Sequence, residues 1–185
     1  RIFKALCENG QEGQAYTLLS KRGNKSFATM WEHYDATTLW EILPVDKNDD
    51  LELLNDRSHS HPMQSGYDSW FYSGIAGISP DEKEPGFKKI VFKPYLTKYL
   101  KQVSGSFKSP NGLILSQWNN ENRRFQWKIK IPYGSVGEIW LPNSKEFNQI
   151  KINNEKMDIM KNNVNFYNLG EYKAGTYIIE AEYNN

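Results

Sequence analysis

The eight residues 124–131, RFQWKIKI, ahead of Pro132 alternate strictly between polar and apolar side chains. Phe125, Trp127, Ile129 and Ile131 fall on one side and Gln126, Lys128 and Lys130 on the other. That period of two describes a strand with one buried face. Earlier in the chain the apolar residues recur at helical spacing instead. Met63, Tyr67, Trp70, Phe71, Gly74, Ile75 and Ile78 trace one stripe of a helix, with Pro62 suited to its first turn and Gly77 and Ser79-Pro80 closing it. The period changes after DEKEPGF, residues 81–87. A chain whose apolar period switches once from helical to alternating is bound to build two different layers of structure. The expected boundary lies near residues 80–88, giving helices over 1–85 and an antiparallel β-sandwich over 86–185.

Further local signals fill in each half. Ile2, Phe3, Leu6 and Cys7 follow helical spacing up to Asn9-Gly10, and Ala15, Leu18 and Leu19 resume it, which reads as a helical hairpin. Thr37 or Thr38 is placed to cap a short helix through Trp40 and Leu43 that ends at Pro44. Residues 46–58 are polar and acidic and read as a solvated loop anchored by Leu51, Leu53 and Leu54. In the second half, Ser-Pro-Asn-Gly at 109–112 reads as a hairpin turn, and residues 119–124 as a polar turn before the alternating strand. Residues 89–94, 136–142 and 175–183 are further strands.

Composition excludes several function classes. Twenty-three Lys and Arg against 22 Asp and Glu leave a net charge of +1 in 185 residues, which gives no reason to expect nucleic acid or a membrane surface as partner. No apolar run reaches the length of a bilayer span. The single cysteine, Cys7, reads as a small buried hydrophobe and not as a nucleophile. No Cys/His cluster has zinc spacing and no glycine-rich loop marks a phosphate site, so neither a metal nor another cofactor is expected. The chain opens inside an amphipathic segment, as a fragment or a processed chain does. Six Trp and eleven Tyr supply flat apolar faces with polar edges, which suit sugars and also build ordinary cores.

Two stretches carry candidate chemistry. In ATMWEHYDATTLWE, residues 28–41, two glutamates each follow a tryptophan. A carboxylate against an indole loses hydration, an environment that suits a general acid or base. Glu41 is singled out on that ground, with a solvent-facing glutamate on a short helix as the plain alternative. Glu32 reads as loop or rim, Asp35 as a cap for the following turn, and His33 as a loop histidine. In SHSHPMQSG, residues 58–66, His59 and His61 stand at the entrance of the strong helix. His61 is a candidate hydrogen-bond donor to a bound hydroxyl.

Taken in order, these motifs resemble the C-terminal part of bacterial α-L-rhamnosidases of glycoside hydrolase family 78. DATTLWE at 35–41 is similar to that family's Gly-Ala-Thr-Thr-x-Trp-Glu stretch, and residues 58–94 to its Ser-x-Asn-His stretch and the segment that follows. Residues 5–27 look like the helical pair ahead of the motif. The likeness covers roughly residues 1–118. Asp35 stands where the family usually has Gly, and Ser60 where Asn is common. The resemblance implies an α+β chain: helices of a partial (α/α)6 barrel followed by an antiparallel β-sandwich. It implies inverting hydrolysis of terminal α-L-rhamnosides, which needs two carboxyl groups about 6.5–9.5 Å apart. Glu41 takes the place of the general base, His61 of a rhamnose contact, and Trp40 of a pocket wall. The family's general acid lies upstream, and nothing in these residues resembles it. The implied partners are a rhamnose-containing glycan and an upstream barrel segment of the same polypeptide. Export to the periplasm or outside the cell is common among such enzymes. A carbohydrate-binding or structural sandwich on a helical scaffold is the competing reading.

Overall fold

The computed structural model describes residues 2–44, 56–143, 147–157 and 165–183, with the side chains of 63–65 left aside. The expected loop anchors Leu51, Leu53 and Leu54 lie outside the described residues. The chain divides into two compact units, Arg1–Trp70 and Phe71–Asn185.

The first unit is helical. Helix α1, Ile2–Glu8, buries Phe3 and Cys7, the i, i+4 pair that the sequence pattern marks. Gly10 leaves it at a φ of 70°, a left-handed conformation that glycine enters without a Cβ clash. Helix α2, Glu12–Ser20, follows at once and buries Ala15. Trp70 covers α1: its ring stacks on Phe3 at 5.2 Å, and its indole N–H donates to the Cys7 sulfur at 3.2 Å. Burial pushes the Cys7 thiol up to about 11, so Cys7 is the inert core residue expected.

A third helix, α3, spans Phe27–Tyr34, and the sequence pattern did not single it out. Its local signal is Ser26, whose extended backbone and side-chain oxygen accepting the Thr29 N–H form an ordinary N-cap. Asp35 closes this helix, and does not cap the turn after it. It sits in the left-handed region at φ 49° and its N–H returns to the Met30 carbonyl. Asp enters that region at less cost than most residues, which accounts for an Asp where the resemblance has Gly. Met30 and Trp40 then form a small core with Phe27, Tyr34, Ala36, Leu39, Ile42 and Leu43 packed around it. The expected helix from Thr37 or Thr38 through Leu43 does not form. The Glu41 N–H bonds to the Ser58 carbonyl instead of to the preceding turn. A 3-10 run, Pro62–Tyr67, and one α turn, Asp68–Trp70, complete the unit.

The second unit opens with a π turn, Phe71–Ala76, where the stripe predicted continuous helix. Its last carbonyls are captured from outside the helix: Trp118 donates its indole N–H to the Ile75 oxygen, and Ser116 its hydroxyl to the Ala76 oxygen. Gly77, at φ 69°, turns the chain so close to Pro94 that an added Cβ would lie 2.2 Å from its nitrogen.

Among the described residues ten strands follow: β1 Ile78–Pro80, β2 Lys89–Phe92, β3 Gln102–Ser109, β4 Gly112–Glu121, β5 Arg124–Ile131, β6 Val136–Pro142, β7 Phe147–Ile152, β8 Glu155–Met157, β9 Phe166–Tyr172 and β10 Gly175–Tyr183. They form two sheets, ordered β1-β2-β6-β9 and β3-β4-β5-β10-β7-β8. All described pairs are antiparallel except β2 with β6, which are parallel. Residues 93–135, between those two strands, supply the long crossover that parallel pairing needs. The Ser-Pro-Asn-Gly turn joins β3 to β4 as expected, with Ser109 paired to Gly112. Asn122 and Arg123 join β4 to β5 with φ values of 51° and 60°, the twist that suits a tight hairpin. Strand β5 alternates as its sequence does, burying Phe125, Trp127, Ile129 and Ile131. Phe92 of one sheet meets Trp127 of the other edge to face at 6.4 Å, inside a core that includes Ile90, Ile114, Ile139, Leu141, Ile150 and Ile179.

Candidate active site

Two segments well separated in the sequence lie side by side in the first unit. Residues 38–41 and 57–61 run antiparallel, held by two main-chain hydrogen bonds of 2.8 Å: Glu41 N–H to the Ser58 carbonyl and His61 N–H to the Leu39 carbonyl. The Thr38 hydroxyl donates to the His59 carbonyl and adds a third tie. The ATTLWE and SHSH stretches therefore form one structure.

Glu41 is fixed at both ends of its residue. Its backbone donates to Ser58, and its carboxylate Oε2 accepts the Ser58 N–H at 3.2 Å. The other oxygen, Oε1, lies 4.0 Å from Arg57 Nη1, and the side chain is 35% exposed. One oxygen is thus anchored on a peptide N–H, while the side chain stays open enough for water to reach it. Both carboxylate oxygens thus face donors, the Ser58 N–H and the Arg57 guanidinium.

Trp40 is 8% exposed. Tyr34 packs on it with ring centroids 5.5 Å apart, and His59 stacks on it at 4.1 Å with an interplanar angle of 7°. Trp40 is therefore buried beneath the His59 ring and next in the chain to Glu41. His61 is half-buried, with its main chain tied to Leu39 two residues before Glu41. Glu32 stands apart on α3, exposed and paired with Arg22. His33 is exposed in the last turn of the same helix. Both sit on a helix and not on the loop the sequence suggested.

Arg57, Ser58 and the His59 ring are the contributions that sequence reading missed. In the sequence, Arg57 and Ser58 read as the end of a solvated loop. The available signal was their place at the start of the second histidine-bearing motif, which Ser58 opens and Arg57 precedes. Among the described residues, no group of three or more His, Cys, Asp and Glu side chains is placed to hold a metal ion.

Comparison with known proteins agrees across both units. Residues 1–75 match the bacterial α-L-rhamnosidase six-hairpin glycosidase domain, and residues 77–155 match the bacterial α-L-rhamnosidase C-terminal domain. An α-L-rhamnosidase of Formosa agariphila is 26% identical over 93% of this chain, which spans 18% of that relative. One from Alteromonas sp. (strain LOR) is 29% identical over 76% of the chain and 15% of the relative. The structure of the Dictyoglumus thermophilum α-L-rhamnosidase superposes with a TM-score of 0.83 at 28% identity, covering 98% of this chain and 20% of that one. The Streptomyces avermitilis α-L-rhamnosidase, solved with L-rhamnose, shares the fold with a TM-score of 0.81 at 20% identity over 97% of this chain and 17% of its own. The chain thus spans about a fifth or less of the length of these relatives. On these matches, the chain belongs to the bacterial α-L-rhamnosidase family.

Proposed function

We propose that this chain is part of an inverting glycosidase that removes terminal α-L-rhamnose, with Glu41 as its general base. The observation that carries the reading is the anchoring of the Glu41 carboxylate by the Ser58 N–H at 3.2 Å, on a side chain that solvent still reaches. In this reaction Glu41 takes a proton from water while the water oxygen bonds to the anomeric carbon. The glycosidic C–O bond breaks on the opposite face. The leaving oxygen takes its proton from a general acid, which we assign to a preceding segment of the same polypeptide. His61 donates a hydrogen bond to a sugar hydroxyl, and Trp40 backs the pocket wall. The substrate class follows the relatives' name and the rhamnose bound in the Streptomyces structure.

The test uses a polypeptide in which this chain follows a complete six-hairpin domain. Glu41→Gln lowers kcat on p-nitrophenyl α-L-rhamnoside by about 10²–10⁴-fold, the usual contribution of a general base, and leaves rhamnose binding nearly unchanged. A near-normal rate removes Glu41 from the role. Residues 1–185 alone, with one carboxyl of the pair, give no appreciable turnover.

A second reading, sugar binding by the sandwich, rests on a cleft of about 610 Å³ at the six-stranded sheet. Gln102, Ser104, Gln117, Asn119, Gln126 and Lys128 contribute to its lining. Amides both donate and accept, as vicinal hydroxyls require. Titration of the chain with rhamnose-containing oligosaccharides tests it: Gln117→Leu weakens binding if the cleft is the site.

A further inference from the structure

We propose that His59 is a positioning residue for Glu41, an inference that rests on the reading of Glu41 as general base. Glu41 accepts its carboxylate hydrogen bond from Ser58, the residue immediately before His59. The place of Ser58 therefore depends on what holds residues 57–61 down. Main-chain bonds flank His59 on both sides, from Glu41 to Ser58 and from His61 to Leu39. At His59 itself the hold is double. Its carbonyl accepts the Thr38 hydroxyl, and its ring lies flat on Trp40 at 4.1 Å and 7°. Trp40 in turn belongs to the Met30 core and precedes Glu41 in the chain. The imidazole thus joins the segment that supplies the Ser58 N–H to the buried residue next to the base.

The stack uses the flatness and apolar face of the ring. A ring without titratable nitrogens serves the same purpose, which separates positioning from acid–base chemistry at His59. It also separates it from the proposed sugar contact of His61, whose ring makes no such stack among the described contacts.

Two measurements test the proposal. The chain has three histidines, His33, His59 and His61, so their ring protons are resolvable by NMR. The His59 ring protons appear upfield of the other two through the indole ring current, and Trp40→Leu abolishes the shift. If His59 shows no upfield shift, the stack is absent and the proposal fails whatever Glu41 does. In the polypeptide with a complete six-hairpin domain, His59→Ala lowers kcat by about 10- to 100-fold, as misplacement of a catalytic group by about 1 Å does, with a smaller change in KM. His59→Phe restores the rate and keeps the shape of the pH profile. Wild-type rate in His59→Ala, or a Phe variant as slow as Ala, overturns the proposal. A Glu41→Gln variant with full rate overturns the base assignment instead, and the NMR result then stands as a separate statement about the stack.

Discussion

Replacing Ser116 by Ala tests how the second unit holds its π turn. Ser116 is fully buried. Its hydroxyl donates to the Ala76 carbonyl at 2.5 Å and accepts the Trp127 indole N–H at 2.9 Å. One oxygen thus satisfies two groups that lie away from water. Deleting it removes the partner of a buried N–H and of a buried C=O, each worth about 1–3 kcal/mol when left unmade. The neighbouring bond from Trp118 to the Ile75 carbonyl remains and still pins the turn. The expected loss is therefore about 2–4 kcal/mol, toward the lower end of the summed penalties. With a urea slope of about 2 kcal/mol/M, the midpoint falls by about 1–2 M. The chain has two compact units, so the transition is followed in the second one, by hydrogen exchange of β4 and β5 amides. A double-mutant cycle with Trp127→Phe isolates the network. Once the indole N–H is gone, Ser116→Ala costs about 1 kcal/mol less than in the native background. The reasoning is refuted if Ser116→Ala costs under about 0.5 kcal/mol, the size of an ordinary surface change, or if the two substitutions are strictly additive.

Two further outcomes follow from local geometry. Asp35 closes α3 at φ 49°, so Asp35→Val destabilises by about 1–2 kcal/mol while Asp35→Gly is neutral or stabilising, read from urea midpoints of the first unit. Lys89 is held well above the usual lysine range, first by its hydrogen bond to Glu171 and then, against the opposing effect of burial, by Glu138. A raised folded value means the contribution is complete below the unfolded lysine value of about 10.4 and is lost as pH rises toward the folded one. The destabilisation by Lys89→Met is therefore constant from neutral pH to about 10 and shrinks above it. A penalty that instead grows with alkalinity contradicts the assignment.

Much of the fold is legible because it follows local rules. Strand β5 buries the residues its alternation marks, and Ser-Pro-Asn-Gly turns where its composition says. Phe3 and Cys7 bury at helical spacing. Helix α3 carries a local start signal in Ser26, but its eight residues are too short for apolar spacing alone to mark it. The expected helix at 37–44 fails for a different reason. A Thr cap and helical spacing are weak preferences. Hydrogen bonds from Glu41 to Ser58, and from His61 to Leu39, take the main-chain groups that a helix would have used. The π turn at 71–76 departs from the predicted stripe by the same logic, since Trp118 and Ser116 reach its carbonyls from β4.

The candidate site divides along the same line. Sequence alone named Glu41, Trp40 and His61, because residue type beside residue type is a local fact and the ordered motifs resemble one family. It could not pair them. Glu41 meets Ser58, and Trp40 meets His59, only after the intervening chain returns. The sequence by itself determined the two kinds of layer and most turns, since periodicity and turn chemistry act over a few residues, while Glu41 stood out as the candidate base through its place after Trp40 and the family resemblance. Tertiary structure alone decided which main-chain N–H anchors that carboxylate and which ring lies on its tryptophan. Contacts between segments so far apart depend on loop closure and on competition for hydrogen bonds, and neither is written in local spacing.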